Sequence, residues 1–244
     1  MSDNNINIIE AANKIAAEKT VINKPFPVTL IVGGSGTGKS YSIRNLPPAQ
    51  TCIINVENKT LPFRNAFNFT KVVTEEIPAK IDQAIQAALR DPEIKYIVLD
   101  SFTKYCEFQL NLCGKTFKGY DIYKEYNQRI FDLLERIKKN TSKFIIILAI
   151  DELVEMMNPN GTKFHSRRCA VSGKAWEGKI EKEFTLVLWT DVMREAGTTN
   201  TAFSFLTSHD GISAAKSPAE MFQPKIQNDL LFVCNRITEY YGLK

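Results

Sequence analysis

Short apolar runs alternate with amphipathic stretches through the first 150 residues of this 244-residue chain. Apolar runs bounded by turn-forming residues indicate buried strands, whereas apolar residues spaced three and four apart indicate helices. The predicted strands are 27–32, 52–56, 96–99 and 144–148. The predicted helices are 78–90 and 120–139. Because strands that alternate with helices are typical of parallel sheets, we expect an α/β fold: a mostly parallel central sheet with helices on both faces.

The pattern changes after residue 151. Residues 153–157 and 162–171 flank a turn-forming segment of Asn, Pro and Gly at 158–161, which predicts a β-hairpin. The further predicted elements are a short helix near 174–182, strands at 185–193 and 201–207 around a turn at 196–200, and a helix over 226–241. We therefore expect a β-rich C-terminal part.

The N-terminal residues are predicted to form a separate segment. Residues 5–19 carry apolar side chains at helical spacing, and a connector follows them. We expect residues 1–25 to form an N-terminal helical segment and connector, and residues 26–244 to form one domain.

Composition excludes several classes of protein. No apolar run approaches the roughly 18 residues of a membrane span, and the first residues lack the order of a signal peptide, so we predict a cytoplasmic protein without a membrane partner. The five cysteines contain no C-x-x-C pair, which argues against a disulfide framework and a zinc ribbon. The net charge is only +4, so any contact with nucleic acid must come from a local patch.

The clearest chemical signal is a match to G-x-x-x-x-G-K-[ST], the phosphate-binding loop, between a strand and the start of a helix. Glycines let the backbone approach a phosphate, and the helix N-terminus presents free N–H groups to it. Lys39 can reach the β- and γ-phosphates, and the Ser40 hydroxyl can bind Mg²⁺. The predicted nucleotide-binding residues are Gly33, Gly34, Ser35, Gly36, Thr37, Gly38, Lys39, Ser40 and Tyr41.

Two acidic residues follow neighbouring predicted strands. Asp100 ends the apolar run at 96–99, the pattern of a carboxylate that holds Mg²⁺; the alternative is an Asp that caps the next helix. Glu57 follows the strand at 52–56 and is the candidate that activates water; the alternative is a solvated loop glutamate.

The order of these motifs resembles the RecA-like ATPase core, and most closely the phage ATPases of the Sak-four type, which act in single-strand annealing or recombination. The resemblance covers roughly 26–244. It implies that Glu57 activates the attacking water, that Asp100 carries Mg²⁺, and that ATP lies between the subunits of a homo-oligomer, either a ring or a filament. It also implies a bacteriophage protein, acting in the host cytoplasm.

The same resemblance implies a basic residue inserted from a neighbouring subunit. Lys216, within the Ala-Ala-Lys-Ser stretch at 214–217, matches that position; the alternative is an ordinary surface lysine. One feature departs from the family. The strand after Asp100 usually ends in a polar residue that senses the γ-phosphate, whereas here Asp151 and Glu152 follow it.

Basic and aromatic residues mark a candidate surface for single-stranded DNA. Basic side chains neutralise phosphates and aromatic faces stack on bases. The candidates in and beyond the predicted hairpin are Lys163, Arg167, Arg168, Lys174 and Trp176. Lys115 and Lys118 form a second patch where the resemblance places another DNA loop. The alternatives are a hairpin whose charges only maintain solubility, and a core position for Trp176.

The leading interpretation is a Mg-ATP-dependent ATPase that binds single-stranded DNA and promotes recombination or annealing as an oligomer, with a single-stranded DNA-binding protein as a further partner. One alternative is a small-molecule kinase, which needs an arginine-rich lid. The sequence has no compact arginine-rich segment beyond the pair Arg167 and Arg168. Another alternative is a nucleotide switch that binds without significant turnover.

Overall fold

The computed structural model describes residues 26–140, 142–194 and 201–243. The predicted helix at 5–19 and the predicted turn at 196–200 lie outside these residues. The strands are β1 (Thr29–Val32), β2 (Thr51–Asn55), β3 (Val72–Thr74), β4 (Tyr96–Asp100), β5 (Phe144–Ala149), β6 (Asp151–Met157), β7 (Lys163–Cys169), β8 (Leu186–Arg194), β9 (Thr201–Leu206) and β10 (Lys225–Gln227). The α-helices are α1 (Pro78–Arg90), α2 (Phe102–Thr116), α3 (Tyr120–Lys138) and α4 (Leu230–Tyr241). Short 3-10 helices cover Ser40–Asn45, Pro48–Gln50, Ala66–Asn68 and Ile180–Glu183.

Eight of the described strands form one sheet in the order β10-β9-β8-β1-β5-β4-β2-β3. The strands from β8 to β3 in this order run parallel, and β9 and β10 continue the sheet with antiparallel pairings. The predicted fold class is therefore confirmed, including the β-rich C-terminal part. Because β1, β2, β4, β5 and β8 are parallel, the segments that follow them leave from the same edge of the sheet.

Alternating residues of the central strands pack into two hydrophobic layers, one on each face of the sheet. In β1, Leu30 and Val32 face one layer and Ile31 faces the other. The first layer is completed by α1, α2 and α3, and the second by α4 and the 3-10 helix at Ser40–Asn45. Strands that are buried on both faces read as continuous apolar runs, which is why these strands are visible in the sequence.

The predicted hairpin is confirmed as β6 paired with β7, which forms a two-stranded sheet of its own. The pairing runs from Asp151 opposite Cys169 to Met157 opposite Lys163. The base of the hairpin returns to the body of the domain, where the Ala170 amide donates to the Ile150 carbonyl at 2.8 Å.

Three elements differ from the sequence prediction. The helix after the phosphate-binding loop is a 3-10 helix that ends at Asn45, because Pro47 and Pro48 follow directly. The helix near 174–182 is reduced to the 3-10 helix Ile180–Glu183. The last helix begins at Leu230, since Asp229 caps it and residues 225–227 form β10.

Helix α2 is not predicted from the sequence pattern. Its buried face mixes polar and apolar residues, among them Thr103, Gln109 and two cysteines, which hides the helical spacing. Ser101 caps its N-terminus by accepting a hydrogen bond from the Lys104 amide at 3.4 Å.

Candidate nucleotide-binding site

The phosphate-binding loop is held against the sheet by contacts that only glycine permits. A Cβ atom on Gly33 would lie 1.7 Å from Thr190 Oγ1, and one on Gly38 would lie 2.9 Å from the Phe203 ring. Gly38 also has a φ of +96°, which disfavours other residues. Thr37 Oγ1 donates to the Gly34 carbonyl at 2.7 Å and lies 2.6 Å from Thr190 Oγ1. Strand β8 therefore supports the loop from the side.

Lys39 points across the loop. Its Nζ atom donates to the carbonyls of Gly33 and Gly34, each at 2.7 Å, and the residue is only 8% exposed. Burial lowers the pKa of this ammonium, while the charges of Asp100, Asp151 and Glu57 oppose that shift. The lysine is thus a cation surrounded by three carboxylates.

Ser40 and Asp100 are joined directly: Ser40 Oγ donates to Asp100 Oδ2 at 2.6 Å. Burial raises the pKa of Asp100, and the hydrogen bond from Ser40 partly offsets this shift. The alternative role of Asp100 as a helix cap is wrong, because Ser101 caps α2.

These oxygens suit Mg²⁺, which prefers hard oxygen ligands and takes only one or two carboxylates beside substrate phosphates. Among the described residues, no cluster of three or more His, Cys, Asp or Glu could hold a metal ion. Ser40 and Asp100 would therefore hold Mg²⁺ together with a phosphate rather than enclose it.

Glu57 lies at the same edge of the sheet. Its Oε1 accepts a hydrogen bond from Ser101 Oγ at 2.8 Å, and its Oε2 pairs with Lys59 Nζ at 2.5 Å. Burial alone raises the pKa of Glu57, but the hydrogen bonds from Lys59 and Ser101 outweigh it, so the pKa lies below its ordinary value. Glu57 is therefore a fixed, ionised carboxylate rather than a freely solvated one.

Asp151 is the third carboxylate whose charge acts on Lys39. Its carboxylate lies close to Gly34, 3.5 Å from the position that a Cβ atom would take there. Arg167 of β7 donates from Nε to Asp151 Oδ2 at 2.7 Å, and its guanidinium lies 5.2 Å from the centre of the Trp189 ring. Asp151, the first residue of β6, is thus tied to β7 by an ion pair at the position where the sequence lacks the usual polar sensor.

A cavity opens beside the loop, on the side of Tyr41. It has a volume of about 180 Å³ and is lined by loop residues together with Tyr41, Pro62 and Phe203. A wider cleft of about 660 Å³ shares Tyr41 and Pro62 and continues along Phe63 and Arg64. Sequence reasoning missed Pro62, Phe63, Arg64 and Phe203, because no motif marks them.

The family comparison decides the class of protein that carries this site. Residues 26–218 match the AAA domain family, and this span contains every residue of the site described above. The chain belongs to the AAA domain family. No curated protein matches it in sequence. Among solved structures, this AAA domain is similar to a KaiC-like protein from the hyperthermophilic archaeon Pyrococcus horikoshii OT3. The identity is 12%, the TM-score is 0.44, and the match covers 75% of this chain and 79% of that chain.

The family match and the phosphate-binding loop make this chain a P-loop ATPase by class, built on a mostly parallel α/β sheet. Nucleotide binding follows from that class, and nucleotide hydrolysis is the activity it suggests. The finer resemblance to Sak-four ATPases stays a prediction. Of the helices in the described ranges, none combines the length and apolar character that a membrane crossing requires.

The residues predicted to bind DNA differ in how far they are exposed to solvent. Lys115, Lys118, Lys163 and Lys174 are exposed. Trp176 is only 8% exposed and packs in the core, so it offers no face on which a base could stack. We therefore assign Trp176 to the core.

The two hairpin arginines have partners within the domain. Arg167 pairs with Asp151, as described above, and Arg168 Nη2 donates to Met156 Sδ at 3.3 Å. They are half-buried, unlike the four exposed lysines, although Lys163 is itself paired with Glu155 at 2.9 Å.

The second basic patch was predicted to lie in a loop after β4, but the structure places it elsewhere. Helix α2 follows the strand instead and places Lys115 in its last turn, about 20 Å along the helix axis from Phe102. Lys118 lies in the short connection to α3.

Lys216 lies beside the middle of β8. Its amide and carbonyl form a bridge with Val187 of β8, each hydrogen bond measuring 2.9 Å. Val187 pairs with Leu30 in the middle of β1, whereas the loop begins after Val32. No salt bridge to Lys216 occurs among the described residues.

Proposed function

We propose that this AAA domain is a Mg-ATP-dependent ATPase that binds single-stranded DNA and promotes DNA recombination or strand annealing as a homo-oligomer. The observation that carries the proposal is the convergence of Lys39, the Ser40–Asp100 pair and Glu57 at one edge of the sheet. A cation for phosphates, oxygen ligands for Mg²⁺ and a carboxylate for water are the parts that phosphoryl transfer to water requires.

Each residue of the nucleotide-binding site has one task in this proposal. Lys39 turns from the carbonyls of its own loop toward the β- and γ-phosphates of ATP, where its charge stabilises the transferred group. Ser40 and Asp100 would hold Mg²⁺, which would neutralise charge on the phosphates. Glu57 orients the attacking water and accepts its proton at a carboxylate oxygen. Tyr41, Pro62 and Phe203 offer apolar surface to the nucleoside.

The proposal of DNA binding is supported by exposed positive charge on the hairpin and beside α3. Lys163 is exposed at the tip of the hairpin, and Lys174 follows its base. The Asp151–Arg167 pair joins β7 to the edge that carries the phosphate-binding loop. Single-stranded DNA bound along the hairpin would therefore be connected to the nucleotide site through the contact between Arg167 and Asp151.

Assembly is proposed because the described part of one subunit leaves its site without Lys216. Since Lys216 lies beside the middle of β8, we infer that it serves the pocket of a neighbouring subunit. A cation that arrives from a neighbour stabilises charge on the transferred phosphate only in the oligomer.

Phosphate release from Mg-ATP, measured with and without a single-stranded oligonucleotide, tests the proposed function. We expect steady turnover that the oligonucleotide accelerates, and no requirement for a small-molecule acceptor. Turnover that appears only with an added acceptor would identify a kinase. Binding of ATP without turnover in either condition would identify a nucleotide switch. Either result would contradict the proposal.

A further inference from the structure

A third cavity lies away from the phosphate-binding loop and has no part in the proposed hydrolysis. Its volume is about 780 Å³, within the range of sites that bind small molecules. It is bounded on one side by the start of α3 and on the other by the segment 171–177, which follows the hairpin. We name it the tyrosine pocket, after Tyr120 and Tyr123, which line it.

The two tyrosines are unusually exposed for their size. Tyr120 is 81% exposed and Tyr123 is 50% exposed, and their spacing of three residues places them on the same face of α3. Asn127, one turn further along this face, also lines the tyrosine pocket, and its Oδ1 is buried without a hydrogen-bond partner. The face thus combines two aromatic rings with an unused hydrogen-bond acceptor.

Charged groups of both signs surround the tyrosine pocket. Lys174 lines the tyrosine pocket, and Lys118 and Lys124 are exposed beside the two tyrosines in sequence. Glu152 and Glu177 also line it, and Asp121 is exposed next to Tyr120. Burial, together with the neighbouring charges of Glu177 and Glu181, raises the pKa of Glu152. Glu152 is half-buried, whereas the lysines are exposed, so a ligand that offers an amino group to Glu152 and phosphates to the lysines would match these charges.

A nucleobase with its phosphates has this chemistry. Every base offers a flat face for stacking on aromatic rings, and amide and carboxylate side chains recognise the edges and amino groups of bases. Lysines at the rim neutralise the phosphates on either side.

We propose that the tyrosine pocket binds an unstacked base of single-stranded nucleic acid, with Tyr120 and Tyr123 as the stacking residues and Lys174 at the adjacent phosphate. This inference rests on the proposed function, because it assumes that the chain binds single strands. In this inference, Tyr120 and Tyr123, whose rings are accessible, take the stacking role that was predicted for Trp176.

The test is the affinity of a single-stranded oligonucleotide containing 2-aminopurine, measured by fluorescence for the wild-type protein and for the double variant Tyr120→Leu, Tyr123→Leu. We expect the double variant to bind at least about tenfold more weakly and to lose the quenching that stacking causes. The dependence of affinity on salt should stay unchanged, because no charge is removed. Lys174→Gln should instead reduce that dependence.

Phe131→Leu is the matched control, because Phe131 is a 46% exposed aromatic residue on the same helix that does not line the tyrosine pocket. It should bind like the wild-type protein. Tyr120→Leu alone, at the more exposed position, repeats the test with the least risk to folding. ATP turnover without nucleic acid by the Phe131→Leu protein should equal that of the wild-type protein.

Failure of the inference can be separated from failure of the proposed function. Wild-type protein that binds the strand while the double variant binds it equally well would overturn the inference alone. Wild-type protein that does not bind the strand would overturn the DNA-binding part of the proposed function, and the inference with it. A double variant that changes its sedimentation while keeping its affinity for the strand would make the tyrosine pocket an interface between copies, which also overturns the inference.

Discussion

At the scale of single residues, Lys39 is the charge on which nucleotide binding depends. It is buried, and it is directed toward the inside of the loop by two carbonyls. A charge-assisted contact in such a desolvated position contributes about 3 kcal/mol, which corresponds to about a hundredfold in affinity.

Lys39→Ala should therefore weaken binding of Mg-ATP about a hundredfold or more, as measured by titration calorimetry. Lys104→Ala is a suitable control, because Lys104 pairs with Glu107 on α2. Equal affinity of the Lys39→Ala and wild-type proteins would show that the loop does not hold the nucleotide.

The ion pair between Glu57 and Lys59 predicts a pH dependence. A carboxylate that accepts a proton from water must be ionised, so turnover is lost as the pH falls through its pKa. Lys59 helps to hold that pKa below its ordinary value. Lys59→Gln should raise the pKa and move the acidic limb of the pH profile of kcat to higher pH. An acidic limb that stays in place would show that another group titrates there.

At the scale of elements, Ser101 links a helix terminus to the site. Its hydroxyl accepts from the Lys104 amide at the start of α2 and donates to Glu57. Loss of an N-cap costs about 1 kcal/mol, which is a few degrees in Tm for a chain of this size. The same substitution removes one of the donors that keep the pKa of Glu57 low.

Ser101→Ala should therefore lower Tm by a few degrees and also shift the acidic limb of the pH profile upward. Asp229→Ala provides the control, because Asp229 caps α4 through the amides of Leu231 and Phe232. That variant should lose similar stability without any shift of the limb. A shift in both variants would attribute the effect to lost stability rather than to Glu57.

How well the elements could be predicted depended on their burial. Strands β1, β4 and β5 lie in the centre of the sheet, and their unbroken apolar runs mark them clearly. Strands β3 and β10 are three residues each at the sheet edges, so neither has enough apolar length to be recognised. The 3-10 helix after the phosphate-binding loop is short, because Pro47 and Pro48 prevent a longer helix.

At the scale of the whole molecule, a parallel sheet explains why part of the site could be predicted and part could not. Glu57 and Asp100 follow neighbouring parallel strands, so their approach to the loop follows from topology. Phe203 and Thr190 contact the loop from β9 and β8, and Arg167 reaches Asp151 from the hairpin. These contacts depend on the packing of distant segments, which no local pattern records.

The position of Lys216 leads to a prediction about assembly. Mixing Lys216→Ala subunits with Lys39→Ala subunits should restore part of the turnover that each protein lacks alone, because a mixed interface can combine an intact pocket with an intact Lys216. The homogeneous Lys216→Ala protein should bind ATP nearly as the wild-type protein does. Absence of rescue, with turnover per subunit independent of protein concentration, would show that Lys216 does not act across an interface.

The central claim is that this sheet edge hydrolyses ATP and that single-stranded DNA promotes the reaction. The most direct measurement compares phosphate release by wild-type and Glu57→Gln proteins at saturating Mg-ATP, with and without a single-stranded oligonucleotide. We predict that the oligonucleotide accelerates the wild-type protein and that Glu57→Gln retains ATP binding while its turnover falls about 10²- to 10⁴-fold. Equal turnover by the two proteins, or rates that the oligonucleotide leaves unchanged, would contradict the account.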